Sequence, residues 1–147
     1  MGQVEATTER VIDAKPEDVF DALADYAGAR RRVMPASFSA YEIREGGDGE
    51  GSLVAWKLQA TKKRVRDCLI EASEPSDGEL VETDRNSTMV TRWTVTPAGE
   101  GSARVVVTTT WDGAGGIGGF FERTFAPKGL ARIYDELLAN LAAETRA

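Results

Sequence analysis

Two stretches of the chain alternate apolar and polar positions with unusual regularity. Met89, Thr91, Trp93 and Val95 interleave with Val90, Arg92, Thr94 and Thr96, while Val105, Val107, Thr109 and Trp111 interleave with Arg104, Val106, Thr108 and Thr110. A period of two places each set on one face of a pleated strand, so both stretches predict β-strands carrying a tryptophan on one face and a more polar surface on the other. Shorter β-prone runs precede them at Phe38–Arg44, Ser52–Ala60, Lys63–Glu74 and Glu79–Asp84. Clusters of Gly, Pro, Ser and charged residues at 45–51, 61–62, 75–78, 85–87 and 97–102 separate the runs at spacings that predict antiparallel hairpins. With Thr88–Thr96 and Ala103–Asp112, the middle of the chain reads as six strands.

The two ends read differently. Gln3 to Asp13 mixes Val4, Val11 and Ile12 with Thr and Glu, which suits a strand with one wet face. Pro16 then opens a segment with Glu17 and Asp18 in its first turn, and Val19, Phe20, Leu23 and Ala24 follow at helical spacing. Gly28 interrupts this helix, and Ala29 to Met34 makes a second short one that Pro35 ends. At the other end Leu130, Ile133, Tyr134, Leu137, Leu138 and Leu141 recur every three or four residues, predicting a long amphipathic helix. Pro127 and Gly129 in its first half predict a kink or break there. Strands joined by short turns pair antiparallel, and their apolar face needs a cover. The terminal helix is the one element long enough to supply it.

Composition narrows the chemistry. At 147 residues and 15.9 kDa the chain is expected to form one domain, residues 1–147. Hydrophobic residues at 41% supply a real core, and a formal net charge of −6 repels nucleic acid and anionic membrane, so no nucleic-acid partner is expected. Histidine is absent, which removes imidazole bases, His-activated nucleophiles and the usual catalytic zinc sites. A single cysteine, Cys68, forms neither an internal disulfide nor a thiolate cluster, so no metal and no cofactor are expected. The start MGQVEATTER lacks a signal-like apolar stretch, and no run approaches the ~18 apolar residues of a membrane span, so a cytoplasmic protein without integral membrane association is expected.

The order of elements, with three local runs, resembles the helix-grip family, also called the START-like or SRPBCC superfamily, which includes polyketide cyclase/dehydrase-type proteins, lipid-transfer START domains and the birch-pollen-allergen group. The runs are AKPEDVFDALADY from Ala14 to Tyr26, the glycine hairpin Glu45 to Gly51 followed by SLVAW from Ser52 to Trp56, and YDELLANL from Tyr134 to Leu141. The resemblance covers essentially the whole chain. It implies an α+β fold: a curved, seven-stranded antiparallel sheet, two short helices after the first strand, and a long C-terminal helix packed across the concave face. It further implies an apolar cavity between sheet and helix that takes a hydrophobic small molecule. The family shares no single catalytic constellation, so no active-site residue follows from it.

Candidate residues come from the pattern itself. Trp56, Trp93 and Trp111 either line such a pocket with flat apolar walls or fill a dense core, and small neighbours such as Ala55 or Thr91 would leave room for a ligand. Tyr41, Phe120, Phe121 and Tyr134 complete the candidate ligand-binding set, with Arg66, Asp67 and Glu82 as further polar candidates. In the run from Val65 to Ile70, either Val65, Asp67 and Leu69 or Arg66, Cys68 and Ile70 face inward. An inward Asp67 would be desolvated into a general acid or base, whereas the solvated face is the commoner place for a lone carboxylate. Tyr134 lies on the apolar stripe and needs a partner for its hydroxyl, so it joins Asp67 as a catalytic candidate. Cys68 reads as a small apolar strand residue.

Gly113 to Gly119 formally matches G-x-G-x-x-G, but a dinucleotide fold needs a further parallel strand after the helix. The run reads instead as a loop, either a gate at the pocket mouth beside Ile117, Phe120 and Phe121 or a plain connector. Arg30-Arg31-Arg32 and Lys62-Lys63-Arg64-Val65-Arg66 read as solvated turns or an anion-facing rim. Three functions are therefore carried forward: binding of a lipid-like or polyketide-like molecule, a polyketide aromatase/cyclase-type enzyme, and a protein-interaction module.

Overall fold

The computed structural model describes residues 3–61, 64–112 and 116–146; the side chains at 60, 61, 64 and 116–126 lie outside the described part. The elements run β1 (Gln3–Ile12), α1 (Pro16–Ala24), α2 (Ala29–Val33), β2 (Phe38–Glu45), β3 (Leu53–Thr61), β4 (Arg64–Ser76), β5 (Glu79–Asp84), β6 (Val90–Pro97), β7 (Ala103–Asp112) and α3 (Gly116–Thr145). All seven strands form one antiparallel sheet in the order β1-β7-β6-β5-β4-β3-β2. The chain crosses once from one edge to the other, through α1 and α2. Successive hairpins then return it to β1, where Gln3 pairs with Asp112 and Ile12 with Ala103.

Alternation sets the faces. In β7, Ala103, Val105, Val107, Thr109 and Trp111 are buried while the residues between them are exposed or half-buried. In β6, Thr91, Trp93 and Val95 are buried likewise. The stripe on α3 lies on this inner face, with Leu130, Tyr134, Leu137, Leu138 and Leu141 buried and Ile133 half-buried against them. Every one of these leucines is fully removed from water, and a fully buried leucine side chain contributes about 1.5–3 kcal/mol.

Two irregularities aim side chains. Ala40 adopts φ 53° where the β2–β3 register slips between Ser39 and Glu42. Strict alternation would put Phe38 and Tyr41 on opposite faces; the extra residue of this bulge returns Tyr41 to the inner side beside Phe38. A second slip, between Ser73 and Ser76, accommodates Pro75, which has no N–H to give to a ladder. The strand therefore runs past the expected turn at 75–78, and the turn itself shrinks to Asp77 and Gly78.

α2 is too short to hold itself and is capped from outside. Both carboxylate oxygens of Asp25 accept backbone N–H groups, from Gly28 (3.1 Å) and Ala29 (3.0 Å). The glycine hairpin docks on this corner: the Ala27 N–H donates to the Gly47 carbonyl (3.1 Å) and the Gly49 N–H to that of Ala24 (3.0 Å). Gly47 (φ 134°) and Gly49 (φ 61°) sit in backbone conformations that other residues resist, which explains the glycine run.

Two expectations change in α3. The helix is continuous through Pro127, so there is no break, and Pro127 is exposed. It also begins at Gly116, inside the stretch read as loop, so three of the five glycines between Gly113 and Gly119 belong to its first turn. The gate reading keeps only 113–115, which lie outside the described residues.

Candidate functional site

The trough between the sheet and α3 is lined by aromatic side chains in contact. Trp93 meets Tyr134 edge-on at 5.4 Å, Phe38 meets Trp56 edge-on at 5.7 Å, and Tyr41 stacks on Trp56 at 5.8 Å with the planes 21° apart. Trp56, Trp93 and Trp111 are at most 3% exposed. All three face inward from β3, β6 and β7, as the alternation requires.

At one side of the trough lies a sealed ionic cluster. Arg30, on α2, is completely buried and grips Glu82 of β5 with two nitrogens, at 2.8 and 3.1 Å. Glu82 also accepts the Tyr26 hydroxyl (2.6 Å) and the Trp93 indole N–H (2.8 Å), so each of its oxygens holds two donors. Arg30 further donates to the Leu23 carbonyl (3.0 Å), and its guanidinium carbon lies 4.9–5.8 Å from the ring centres of Trp93, Tyr26 and Trp56. Burial alone would lower the Arg30 pKa, but the charge of Glu82, the hydrogen bond to it and the neighbouring Tyr26 together outweigh burial and raise it, so the guanidinium stays protonated. Burial, then Glu82, push the Tyr26 hydroxyl well above its usual range, fixing it as a donor. The Tyr41 hydroxyl donates to the Tyr26 carbonyl (2.8 Å), and burial raises its pKa to about 12.

Toward the α3 side of β6 and β7 the polar groups are only partly matched. Thr91 and Thr109 pair through their hydroxyls at 2.9 Å, and Tyr134 reaches Thr91 at 3.5 Å, the outer limit of a hydrogen bond. Burial raises the Tyr134 pKa, so this hydroxyl stays protonated at neutral pH. Trp111 Nε1 is buried with no hydrogen-bond partner, and Arg30 Nε is the other such atom among the described residues.

The structure settles the open register of β4. Cys68 and Ile70 face the core, whereas Asp67 is exposed, Leu69 half-buried and Val65 51% exposed on the outer face. Asp67 therefore stands apart from the trough; with it, Ala40, Glu42, Arg44, Ala55, Lys57 and Leu69 border a shallow outer depression of about 340 Å³. Ala55 faces this outer side too, so the small residue expected beside Trp56 is turned away, while Thr91 faces inward as read. Burial, then the nearby Asp84, raise the Cys68 pKa to about 12, leaving an inert thiol.

The largest correction concerns Arg30. Its run of three arginines reads as solvated, yet only Arg31 and Arg32 are at the surface, Arg32 pairing with Glu144 at 2.8 Å. The helix period separates them: consecutive residues on α2 point about 100° apart, so one of three must turn toward the core. Glu82, one of the polar candidates, supplied half of the signal; alternation with Leu80 puts it on the inner face, where a buried carboxylate requires a cation. In the second basic run Lys62, Lys63 and the Arg64 side chain lie outside the described residues, as do the side chains of Phe120 and Phe121. Arg66 is half-buried on β4.

Among the described residues no group of three or more His, Cys, Asp or Glu side chains is placed to hold a metal ion, and no helix is long and apolar enough to cross a membrane.

Comparison with known proteins places this geometry. A family model described as polyketide cyclase/dehydrase and lipid transport matches residues 3–146. The solution structure of the KanY protein is similar over 100% of both chains, with 46% identity and a TM-score of 0.89. The Zhui aromatase/cyclase from a Streptomyces species shares the fold at 15% identity and a TM-score of 0.72, covering 98% of this chain and 94% of its own. Ginseng (Panax ginseng) major latex-like protein 151 does so at 14% identity and 0.71 over 99% of each. No curated protein matches the sequence. With the helix-grip fold and a profile match over nearly its whole length, the chain belongs to the polyketide cyclase/dehydrase and lipid transport family.

Proposed function

We propose that the protein binds a hydrophobic small molecule, lipid-like or polyketide-like, in the trough between the sheet and α3. The observation that carries this reading is the set of inward aromatic rings from β2, β3, β6 and α3, together with the inward Trp111 of β7, whose buried indole N–H has no protein partner. An ordinary core satisfies such a donor, because leaving it unmade costs about 1–3 kcal/mol. Binding is driven by removal of ligand apolar area from water at about 25 cal/mol per Å², with a few polar groups setting its direction. Membership of the family, and the aromatase/cyclase among the proteins of this fold, agree with such a cargo.

Of the two catalytic candidates, Asp67 lies on the outer face and Tyr134 stays protonated, so the trough as described offers hydrogen-bond donation rather than a base. The test is native mass spectrometry of freshly purified protein, together with titration by the neutral fluorophore N-phenyl-1-naphthylamine. A lipid-sized adduct, or saturable binding at one site per chain, is expected. Absence of both overturns the reading and leaves a surface-acting interaction module.

A further inference from the structure

We infer that the depression on the outer face of the sheet is a second binding site, separate from the trough, and that it takes a small zwitterion: a free α-amino acid with an apolar side chain. Its floor is Ala55 of β3 and Leu69 of β4, both half-buried and directly opposed in the ladder. Longer charged side chains from β2, β3 and β4 stand around this floor, so the alanine at its centre leaves a hollow. The volume of about 340 Å³ falls at the low end of the roughly 300–1,000 Å³ that small-molecule sites occupy.

Charges at this hollow are arranged unlike those on the rest of the face. Arg104 pairs with Glu9 (2.8 Å), Arg92 with Glu79 (2.8 Å) and Arg85 with Glu71 (2.9 Å), and Arg44 at the rim pairs with Glu42. Lys57 and Asp67 are opposite in sign and direct partners in the β3–β4 register, where Cβ atoms stand about 4.5–5.5 Å apart. Both are exposed in the hollow, yet neither forms an ion pair with the other or with any other described residue. Ala40, the one described residue other than glycine at positive φ, borders the same hollow. The register slip that turns Tyr41 inward thus leaves only a methyl group at this rim, and such backbone outliers gather at ligand sites.

The choice of ligand follows from the charges. Glu42 and Asp67 balance Arg44 and Lys57, so the hollow as a whole favours neither an anion nor a cation. A lone carboxylate drawn to Lys57 would meet Asp67 beside it, and a lone ammonium drawn to Asp67 would meet Lys57. A molecule with both groups on one carbon satisfies the two together, its carboxylate on the lysine and its ammonium on the aspartate, while its side chain covers Ala55 and Leu69.

Three probes of one carbon frame test this: L-leucine, 4-methylpentanoate, which lacks the ammonium, and 3-methylbutylamine, which lacks the carboxylate. Each is titrated into the ¹⁵N-labelled full chain and followed by amide chemical shifts. Leucine is expected to give saturable shifts centred on Ala55, Lys57, Asp67 and Leu69. An exposed ion pair contributes up to about fivefold, so leucine should bind about fivefold more tightly than either analogue. Lys57→Met and Asp67→Asn, both at exposed positions, should each cut that preference to about twofold or less. Exchange of the two charges, Lys57→Asp with Asp67→Lys, should restore it, because the zwitterion can turn round. Saturating leucine should leave the titration with N-phenyl-1-naphthylamine unchanged, which reads the trough separately. No saturable shift at these amides, equal binding of the three probes, a preference untouched in both single variants, or competition with the naphthylamine overturns the inference.

Discussion

Replacing Glu82 with glutamine changes a single oxygen, yet the structure makes it one of the most damaging substitutions available. The carboxylate is 1% exposed and meets four donors, two at each oxygen: hydrogen bonds from Arg30, Tyr26 and Trp93 and a second ion-pair contact with Arg30. A glutamine in the same place has one oxygen and one NH₂ group. Whichever way the amide is turned, the NH₂ confronts two donors, and the Arg30 charge loses its counter-ion in a site with no access to water. Breaking a buried pair by removing one partner costs about 3–5 kcal/mol. Against a total stability of about 5–15 kcal/mol, that is a large share. At about 2–4 °C per kcal/mol for a chain of this size, Tm should fall by about 6–20 °C.

The pair, rather than the residue, carries this effect, so the assay is a double-mutant cycle. Glu82→Gln, Arg30→Met and the double variant are unfolded in urea and followed by tryptophan fluorescence, with Trp93 itself at the reporter site. Arg30→Met alone should be comparably harmful, since it strands the carboxylate. In the double variant neither charge of the pair remains, and the glutamine oxygen still accepts one of the two remaining donors, Tyr26 or Trp93. Its loss should be smaller than the sum of the singles by at least about 2 kcal/mol. Singles that cost less than about 1 kcal/mol each, or that simply add, would refute the account of a sealed ion pair.

Trp111→Ala should weaken binding of N-phenyl-1-naphthylamine by more than about tenfold, or 1.4 kcal/mol, because it removes a ring of about 150–250 Å² from the trough; an unchanged titration with the fold intact would show that Trp111 does not line it. Asp67→Asn, on the outer face, should leave both probe affinity and stability within about 0.5 kcal/mol of wild type. Asp25→Ala uncaps α2 and should cost about 0.5–2 kcal/mol by urea unfolding, with probe affinity lowered only if α2 helps to hold the trough in shape. All three tyrosines have raised pKa values, as does Cys68, so at pH 10.5 the native protein should show little tyrosinate absorbance at 295 nm while the urea-unfolded chain shows it strongly. Above pH 9 the unfolded chain then binds fewer protons than the native one, so stability should fall as pH rises from about 9 toward 12; a tyrosine that titrates near pH 10 in the folded protein would contradict its burial.

What could be read from residues alone was whatever repeats. Period-two alternation located β6 and β7 and turned Trp93 and Trp111 inward, and the three-and-four spacing from Leu130 to Leu141 gave the covering helix. Register inside β4 was not readable, because Val65 and Leu69 on one face are as apolar as Cys68 and Ile70 on the other; pairing with β3 and β5 decides it. Tyr41 reaches the trough only through the bulge at Ala40, a left-handed residue that no glycine announces. Arg30 was hidden because its pairing is non-local, 52 positions from Glu82, and a five-residue helix has no periodicity to display.

The same fold divides its buried polar groups into two kinds. On the α2 side, Glu82 meets as many donors as it can accept, and its ion pair with Arg30 specifies one arrangement of α2 against β5 and β6, while Arg30 Nε keeps no partner. On the α3 side, Tyr134, Thr91 and Thr109 share two hydroxyl contacts, of 2.9 and 3.5 Å, and the Trp111 indole N–H has no partner. Charge is therefore neutralised where the scaffold must not move, and a hydrogen-bond donor is left over at Trp111. An ion-paired side that holds the Trp111 donor in place is the arrangement the proposed trough calls for, because a donor that the protein does not satisfy keeps its direction only if the surrounding packing fixes it.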